Sequence, residues 1–154
     1  MRRYLMNIFS AVLFSTLAAA CSYCEAAGLD EIVGQYNSAT EVQRPQVEGQ
    51  YRYKQVPVDG MIKDVLGWDE FDERTDRGGQ YYKVVTLPKV TSGGVMYDIQ
   101  IFYKDKASVK PLSKGQVIEL EATLLKIVDN IGSYTVWVFG DKLSDEDKAM
   151  LELD

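Results

Sequence analysis

Carboxylates are the most concentrated reactive side chains in this chain. Five of them lie close together: Asp69, Glu70, Asp72, Glu73 and Asp76. Two carboxylates held at a fixed separation across a cleft can hydrolyse a glycosidic bond, and loop carboxylates also bind hard cations such as Ca²⁺. However, the segment Gly67–Gly79 is polar, and its acids do not follow the spacing of an EF-hand loop. We interpret it as a solvated acidic hairpin, with a carboxylate-dependent, carbohydrate-active protein as an alternative.

Two residue types that carry much of enzyme chemistry are scarce here. Histidine is absent, and the chain has two cysteines, Cys21 and Cys24. Their C-x-x-C spacing is compatible with a redox or metal pair, but no helix N-terminus is expected beside them to stabilise a thiolate. Histidine-dependent hydrolases and His- or Cys-based zinc sites are therefore excluded from the remainder of the chain. We expect no catalytic residues, no metal site and no cofactor.

Aromatic side chains are the second group with binding chemistry, because their rings stack on sugars or bases and anchor protein partners. The ligand-binding candidates are Trp68, Phe71, Tyr81, Tyr82 and Tyr97. The same rings could instead fill the core, as the strand parity that Tyr97 shares with neighbouring aliphatic residues suggests. Trp68, Phe71 and Tyr82 are the candidates that we expect to be exposed.

Strand periodicity is the strongest structural signal. The segment Lys114–Phe139 alternates apolar and polar residues on both sides of a turn at Asp129–Gly132, which predicts a complete β-hairpin. Three earlier segments have the same period: Tyr51–Leu66, Gln80–Val90 and Gly94–Tyr103. Gly60 interrupts the first of them, as expected at a bend or bulge.

Helical patterns flank these strands. Leu29, Ile32, Val33 and Tyr36 form one apolar stripe, which predicts a short helix over Gly28–Asn37. Ser38–Gly49 is polar and predicts a connector. Near the C-terminus, Ser144 and Asp147 have the spacing of a capping box, which predicts the start of a helix.

These elements predict a mainly β fold. Five strands, the first of them long and bent, are typical of an OB-fold-like β-barrel, here preceded by a short N-terminal helix. A small antiparallel β-sandwich or open sheet is the alternative. The predicted organisation is a signal peptide at 1–20, a short helix and polar connector at 21–50, an OB-like β-barrel at 51–143, and a short C-terminal helix or tail at 144–154.

The first residues have the pattern of an export signal. Arg2 and Arg3 precede an apolar run that ends in small residues, as in secretory signal peptides. Ala18–Cys21 resembles a bacterial lipobox, which predicts lipidation at Cys21 and a lipoprotein anchored to a membrane of the bacterial cell envelope. Ordinary cleavage within Cys24–Ala26 is the alternative, and it would release a soluble periplasmic or secreted protein.

The charge balance disfavours one class of partner. The formal net charge is −6, and removal of Arg2 and Arg3 with the signal makes the chain more acidic still. Nucleic-acid binding needs clustered Lys and Arg on a surface that attracts phosphate. We therefore expect a protein or saccharide ligand, and contact with a membrane only through a lipid anchor at Cys21.

Three stretches carry a family resemblance: Tyr36-Asn37, then Lys54–Ile62 (KQVPVDGMI), then Leu112–Val117 (LSKGQV). Together they resemble the tRNA-anticodon-binding-like OB-fold proteins of bacterial envelopes, over roughly residues 29–140. Asp59 departs from the small polar residue that such proteins often have at this position. The resemblance implies a fold, and fold alone does not define function.

The resulting functional hypothesis is a non-catalytic OB-fold module of the envelope that binds a ligand or assembles with a partner. An inhibitor or exclusion-type lipoprotein that binds a partner protein through the loop from Trp68 to Phe71 is an alternative.

Overall fold

The computed structural model describes residues 27–67 and 81–151. Within these residues the fold is mainly β, as predicted, with four short helices. The strands are β1 (Gln55–Leu66), β2 (Tyr82–Thr86), β3 (Lys89–Val90), β4 (Met96–Tyr103), β5 (Val117–Asn130) and β6 (Ser133–Phe139). The helices are α1 (Leu29–Ser38), α2 (Arg44–Tyr51), α3 (Lys106–Val109) and α4 (Asp145–Leu151).

Hydrogen bonding closes five of the six strands into a ring. β1 pairs antiparallel with β2 and with β5, and β5 pairs antiparallel with β6. β6 then pairs parallel with β4, and β4 returns antiparallel to β2. The short β3 is added to β4 outside this ring. The sheet is therefore not purely antiparallel. Each strand of the ring has two partners within the ring, and β4 has β3 as a third.

The predicted second strand is divided into two. The structure places β2 and β3 on either side of Leu87-Pro88, within the segment expected to be one strand. Proline has no backbone N–H to donate to a ladder, so the pairing stops there and resumes one residue later. This division accounts for six strands where five were expected.

β1 changes partner shortly after Gly60. It pairs with β5 from Gln55 to Met61 and with β2 from Ile62 onward. The irregularity that the sequence predicted at Gly60 lies further along the strand, where the β2 register shifts between Ile62 and Asp64. A Cβ placed on Gly60 would lie 3.1 Å from Cγ2 of Thr86, so the missing side chain lets β2 approach β1 closely here.

The position of Pro57 in β1 follows from strand parity. The carbonyl of Met61 accepts a hydrogen bond from the N–H of Leu87 on the β2 side of the strand. Pro57 has the same parity as Met61, so its nitrogen faces that same side. Beside Pro57, the only strand paired with β1 in the described residues is β5, which lies on the opposite side of β1. No ladder hydrogen bond is lost.

The main core fills the interior of the ring, and α1 closes one end of it. The stripe predicted for this helix, Leu29, Ile32, Val33 and Tyr36, is buried in the same cluster as the inward residues of the strands. Burial of such a stripe is the chief source of stability for a helix this short. The prediction of an amphipathic N-terminal helix is confirmed.

A second, smaller cluster lies on the outer face of the sheet, and its fully buried members are Tyr81, Phe102, Leu125 and Phe139. The rings of Tyr81 and Phe139 meet edge to face, with centroids 5.7 Å apart. Leu143, which precedes α4, packs against this cluster. The outer cluster therefore joins the C-terminal segment to the sheet.

α4 begins with the capping box that the sequence predicted. The Ser144 hydroxyl accepts a hydrogen bond from the Asp147 N–H at 3.1 Å, and the Asp147 carboxylate accepts one from the Ser144 N–H at 3.1 Å. Asp147 is 2% exposed, and it also accepts hydrogen bonds from Lys104 and from the Tyr81 hydroxyl. One buried carboxylate thus caps α4 and ties it to the outer cluster.

The structure places a helix, α2, inside the segment predicted as a polar connector. Pro45 occupies its first turn, where the absent N–H costs nothing. The helix buries none of its residues, but its Glu48 carboxylate accepts a hydrogen bond from the N–H of Ile127 on β5 at 3.1 Å. No helix in the described part of the chain has the length and apolar character needed to span a membrane.

Candidate functional site

Two of the five aromatic candidates are core residues. Tyr81 and Tyr97 are both 0% exposed. The Tyr97 hydroxyl donates to Asp30 of α1 at 2.5 Å, and burial, reinforced by this carboxylate, raises the pKa of Tyr97. Both rings are enclosed by the protein. Neither presents a face to a ligand, although both were ligand-binding candidates in the sequence.

The other predicted positions have different outcomes. Tyr82 is partly exposed and packs against the main core. Trp68 and Phe71 lie outside the described residues, as do the acidic cluster from Asp69 to Asp76 and the lipidation candidate Cys21.

Trp137 is a partly exposed aromatic residue that was not among the candidates chosen from the sequence. It is partly exposed on the outer face of β6, and its ring meets that of buried Phe102 edge to face, with centroids 5.3 Å apart. Its parity on β6 is opposite to that of the core residues Val136 and Val138. That alternation was the available signal for its outward position.

Trp137 lies in a continuous row of side chains that crosses four strands. It is the register partner of Gln100 on β4 and of Lys126 on β5, and Gln100 is in turn the partner of Val85 on β2. All four side chains are partly exposed. We call this row the Trp137 strip. It offers a large ring for stacking, with an amide and an ammonium beside it to donate hydrogen bonds.

A hydrogen-bonded row borders the strip on the side where β4 and β6 begin. The Thr135 hydroxyl donates to the Asp98 carboxylate at 2.8 Å and accepts a hydrogen bond from the Asn130 amide at 2.9 Å. These contacts hold the polar side chains of three strands in one arrangement. The edge of the strip is therefore ordered without a ligand.

A concave surface lies at the end of the ring near the β5–β6 turn. It is a groove of about 470 Å³ between that turn, the turn before β4 and the C-terminal end of α1. We call it the end groove. Its lining includes Asn37, Gly94, Met96, Asp129, Asn130, Ser133 and Tyr134.

Arg44 of α2 organises one wall of the end groove. Its guanidinium forms an ion pair with Asp129 and donates to the Tyr134 hydroxyl at 3.2 Å. That hydroxyl in turn donates to Asn37 at 2.9 Å. The guanidinium carbon also lies 5.3 Å and 5.8 Å from the ring centroids of Tyr36 and Tyr134, within cation–π range.

These interactions neutralise charge at the groove. Burial and the Glu48 charge raise the pKa of Tyr36, although Arg44 acts in the opposite sense. The Tyr36 ring therefore stays uncharged, and the one carboxylate of the wall, Asp129, is balanced by Arg44. Within the described residues, no three His, Cys, Asp or Glu side chains are close enough together to hold a metal ion.

Neither a comparison with protein-family models nor one with curated proteins finds a match to this chain.

Proposed function

We propose that this chain is a non-catalytic binding or assembly module of the OB type, carried in the bacterial cell envelope. OB folds are five-stranded, partly open Greek-key barrels. The ring formed by β1, β2, β4, β5 and β6 supports this assignment, because its five strands close through one parallel pair and its long first strand pairs with both β5 and β2. In this reading, β3 is an addition outside the ring.

The Trp137 strip is the observation that carries the proposed binding role. In OB folds the ligand surface lies over the second and third strands, which correspond here to β2 and β4. The strip crosses both and places a partly exposed tryptophan between them and β5. Tryptophan is enriched among residues that dominate binding energy, so this ring is the expected anchor for a ligand.

Charge and composition support the remaining parts of the proposal. The net charge of −6 disfavours binding to the phosphates of nucleic acids. The absence of histidine disfavours histidine-dependent catalysis. The signal-like N-terminus and Cys21 support export and lipid anchoring. The chain still contains carboxylates, lysines and tyrosines, which can take part in catalysis. A binding role does not require any of them to turn over a substrate.

The test compares material that co-purifies with the full-length protein from envelope fractions of its host. We expect one set of molecules to be retained by the wild type and lost from Trp137→Ala. Gln100→Arg blocks the same strip without removing a buried ring, so it should lose the same set. Glu119→Ala, on the exposed outer face of β5, is the matched control and should retain it.

Two results would contradict the proposal. Identical retention by all four proteins would exclude the strip as the binding surface. A turnover that persists through purification and depends on one carboxylate pair would instead favour the enzyme alternative.

A further inference from the structure

We propose that the end groove binds a neutral saccharide. This site is distinct from the Trp137 strip: Ser133 and Trp137 are four positions apart on β6, or roughly 13 Å along the strand. The inference therefore does not depend on the function proposed for the strip.

The groove is formed before any ligand binds. Gly94 and Gly132 have φ angles of +79° and +78°, in the left-handed region that favours glycine. The two tight turns therefore present bare peptide groups to the groove instead of side chains. The third wall is held by the contacts among Arg44, Tyr134 and Asn37. Little conformational entropy remains to be lost on binding.

The hydrogen-bonding groups of the groove are mixed in type. Among residues 27–67 and 81–151, four side-chain polar atoms of the lining residues have no hydrogen-bond partner: Nδ2 of Asn37, Oδ1 of Asp129, Oδ1 of Asn130 and Oγ of Ser133. The first is a donor, the two Oδ1 atoms are acceptors, and the hydroxyl is both. Sugar hydroxyls also donate and accept, so they satisfy all four.

Charged ligands fit this arrangement less well. An anion such as phosphate would meet the Asp129 carboxylate and only a few donors. A hard cation takes several oxygen ligands, whereas the carboxylate of the groove is already paired with Arg44. The chemistry therefore favours a ligand that is uncharged and rich in hydroxyl groups.

The groove also offers apolar contact and room for more than one unit. Met96 is 47% exposed at its edge and can cover the C–H face of a sugar ring. A neighbouring hollow of about 580 Å³, lined by Tyr36, Glu41, Arg44 and Pro45, meets the groove at Asp129. Because the two surfaces share this residue, a disaccharide is the smallest ligand that would span both.

The experiment is an NMR titration of the full, processed ¹⁵N-labelled protein with cellobiose, maltose and di-N-acetylchitobiose. We expect at least one of them to produce saturable shifts of the Gly94 and Gly132 amides and of the Asn37 side-chain amide. Ser133→Ala should weaken binding by roughly 3- to 10-fold, the equivalent of one hydrogen bond. Ser92→Ala, an exposed serine in the adjacent turn, should leave the affinity unchanged.

Three results would overturn the inference. The first is the absence of saturable shifts with all three disaccharides. The second is an equal response to inorganic phosphate or to Ca²⁺, which would show a site for ions. The third is a set of shifts confined to the Trp137 indole and Gln100, which would leave the proposed function intact while excluding the end groove. Spectra of both variants without ligand establish that each is folded.

Discussion

Gly140 lies against the ring of Tyr103, directly after β6 ends. A Cβ at this position would be 2.4 Å from Cε1 and 2.5 Å from Cζ of that ring. The N–H of Gly140 also donates to the carbonyl of Phe102 at 2.9 Å, which fixes the backbone here. Neither the buried Tyr103 ring nor the hydrogen-bonded backbone of Gly140 can move easily to make room for a Cβ.

We therefore predict that Gly140→Ala lowers the free energy of unfolding by about 1–3 kcal/mol, the usual cost of overpacking. The shift in the midpoint of urea unfolding measures it. Gly34→Ala is the matched control, since a Cβ there would have no atom within 4 Å. Because Gly34 lies inside α1, that substitution should stabilise by about 0.5–1 kcal/mol. Equal effects at both glycines would contradict the packing argument.

Asp147 is the residue whose ionisation should matter most for stability. Burial alone would raise its pKa, but hydrogen bonds from Ser144, Lys104 and Tyr81 outweigh it and hold the pKa below the usual 3.8. A carboxylate with a lowered folded pKa contributes stability above its unfolded pKa. This contribution is lost as the pH falls through the folded value.

We therefore predict that the wild type loses stability below about pH 4, and that Asp147→Asn loses much less over the same range. At neutral pH the variant should be less stable by about 1–3 kcal/mol, because a helix cap and a buried charge-assisted pair are weakened. Urea unfolding from neutral to acidic pH measures both effects. Asp145→Asn, at an exposed residue paired only with Lys148, should behave like the wild type.

α2 is attached to the sheet at an irregular point of β5. The pairing of β5 with β6 shifts register between Leu124 and Lys126, and the N–H of Ile127, just beyond the shift, is bound by Glu48. A side chain from the helix thus accepts a hydrogen bond from the strand at the irregularity. None of the α2 side chains is fully buried, and the polar contact of Glu48 adds to the partial packing of Val47 and Tyr51 against the main core.

We predict that Glu48→Ala destabilises the protein by about 1–3 kcal/mol, because it leaves the Ile127 N–H without its partner. Hydrogen exchange of the Ile127 amide should accelerate, and Glu48→Gln, which keeps an acceptor, should restore most of the protection. Glu121→Ala, at an exposed position of the same strand, should change neither quantity. Unchanged exchange in Glu48→Ala would show that the N–H does not need this acceptor.

Elements with strong local patterns were predictable, and those held by distant contacts were not. The stripe of α1 and the alternation of β5 and β6 predicted both type and inward face. α2 has no apolar stripe, and it is joined to the sheet by pairs such as Arg44 with Asp129, far apart in sequence. Pro88 was a local signal for the break after β2, but the segment that contains it was interpreted as one strand.

The same distinction applies to the sites. Parity on β6 would have identified Trp137 as outward-facing, and parity on β4 already suggested that Tyr97 lies inside. The burial of Tyr81 depends on an outer cluster assembled from three other strands, which no local pattern reports. The end groove brings Asn37, Gly94 and Ser133 together from three separate parts of the chain, so it could be recognised only once the fold was known.

At the scale of the whole molecule, the predicted lipidation of Cys21 is open to direct measurement. If Cys21 is lipidated, the protein from membrane fractions should begin at Cys21 and carry the mass of a diacylglyceryl group. Cys21→Ser should move the protein out of that fraction, whereas Cys24→Ser should not. An unmodified chain that begins near Ala27 would contradict the prediction and indicate a free protein instead.

The closed ring has a consequence for the order in which this protein can fold. β6 comes last in the chain among the described strands, yet it is the one that joins β5 to β4. Until it has been synthesised, β4 and β5 each keep an edge with unpaired peptide groups. Loops that bring distant segments together also close slowly. The ring can therefore close only after β6 is available, and the strands made before it wait with open edges during synthesis.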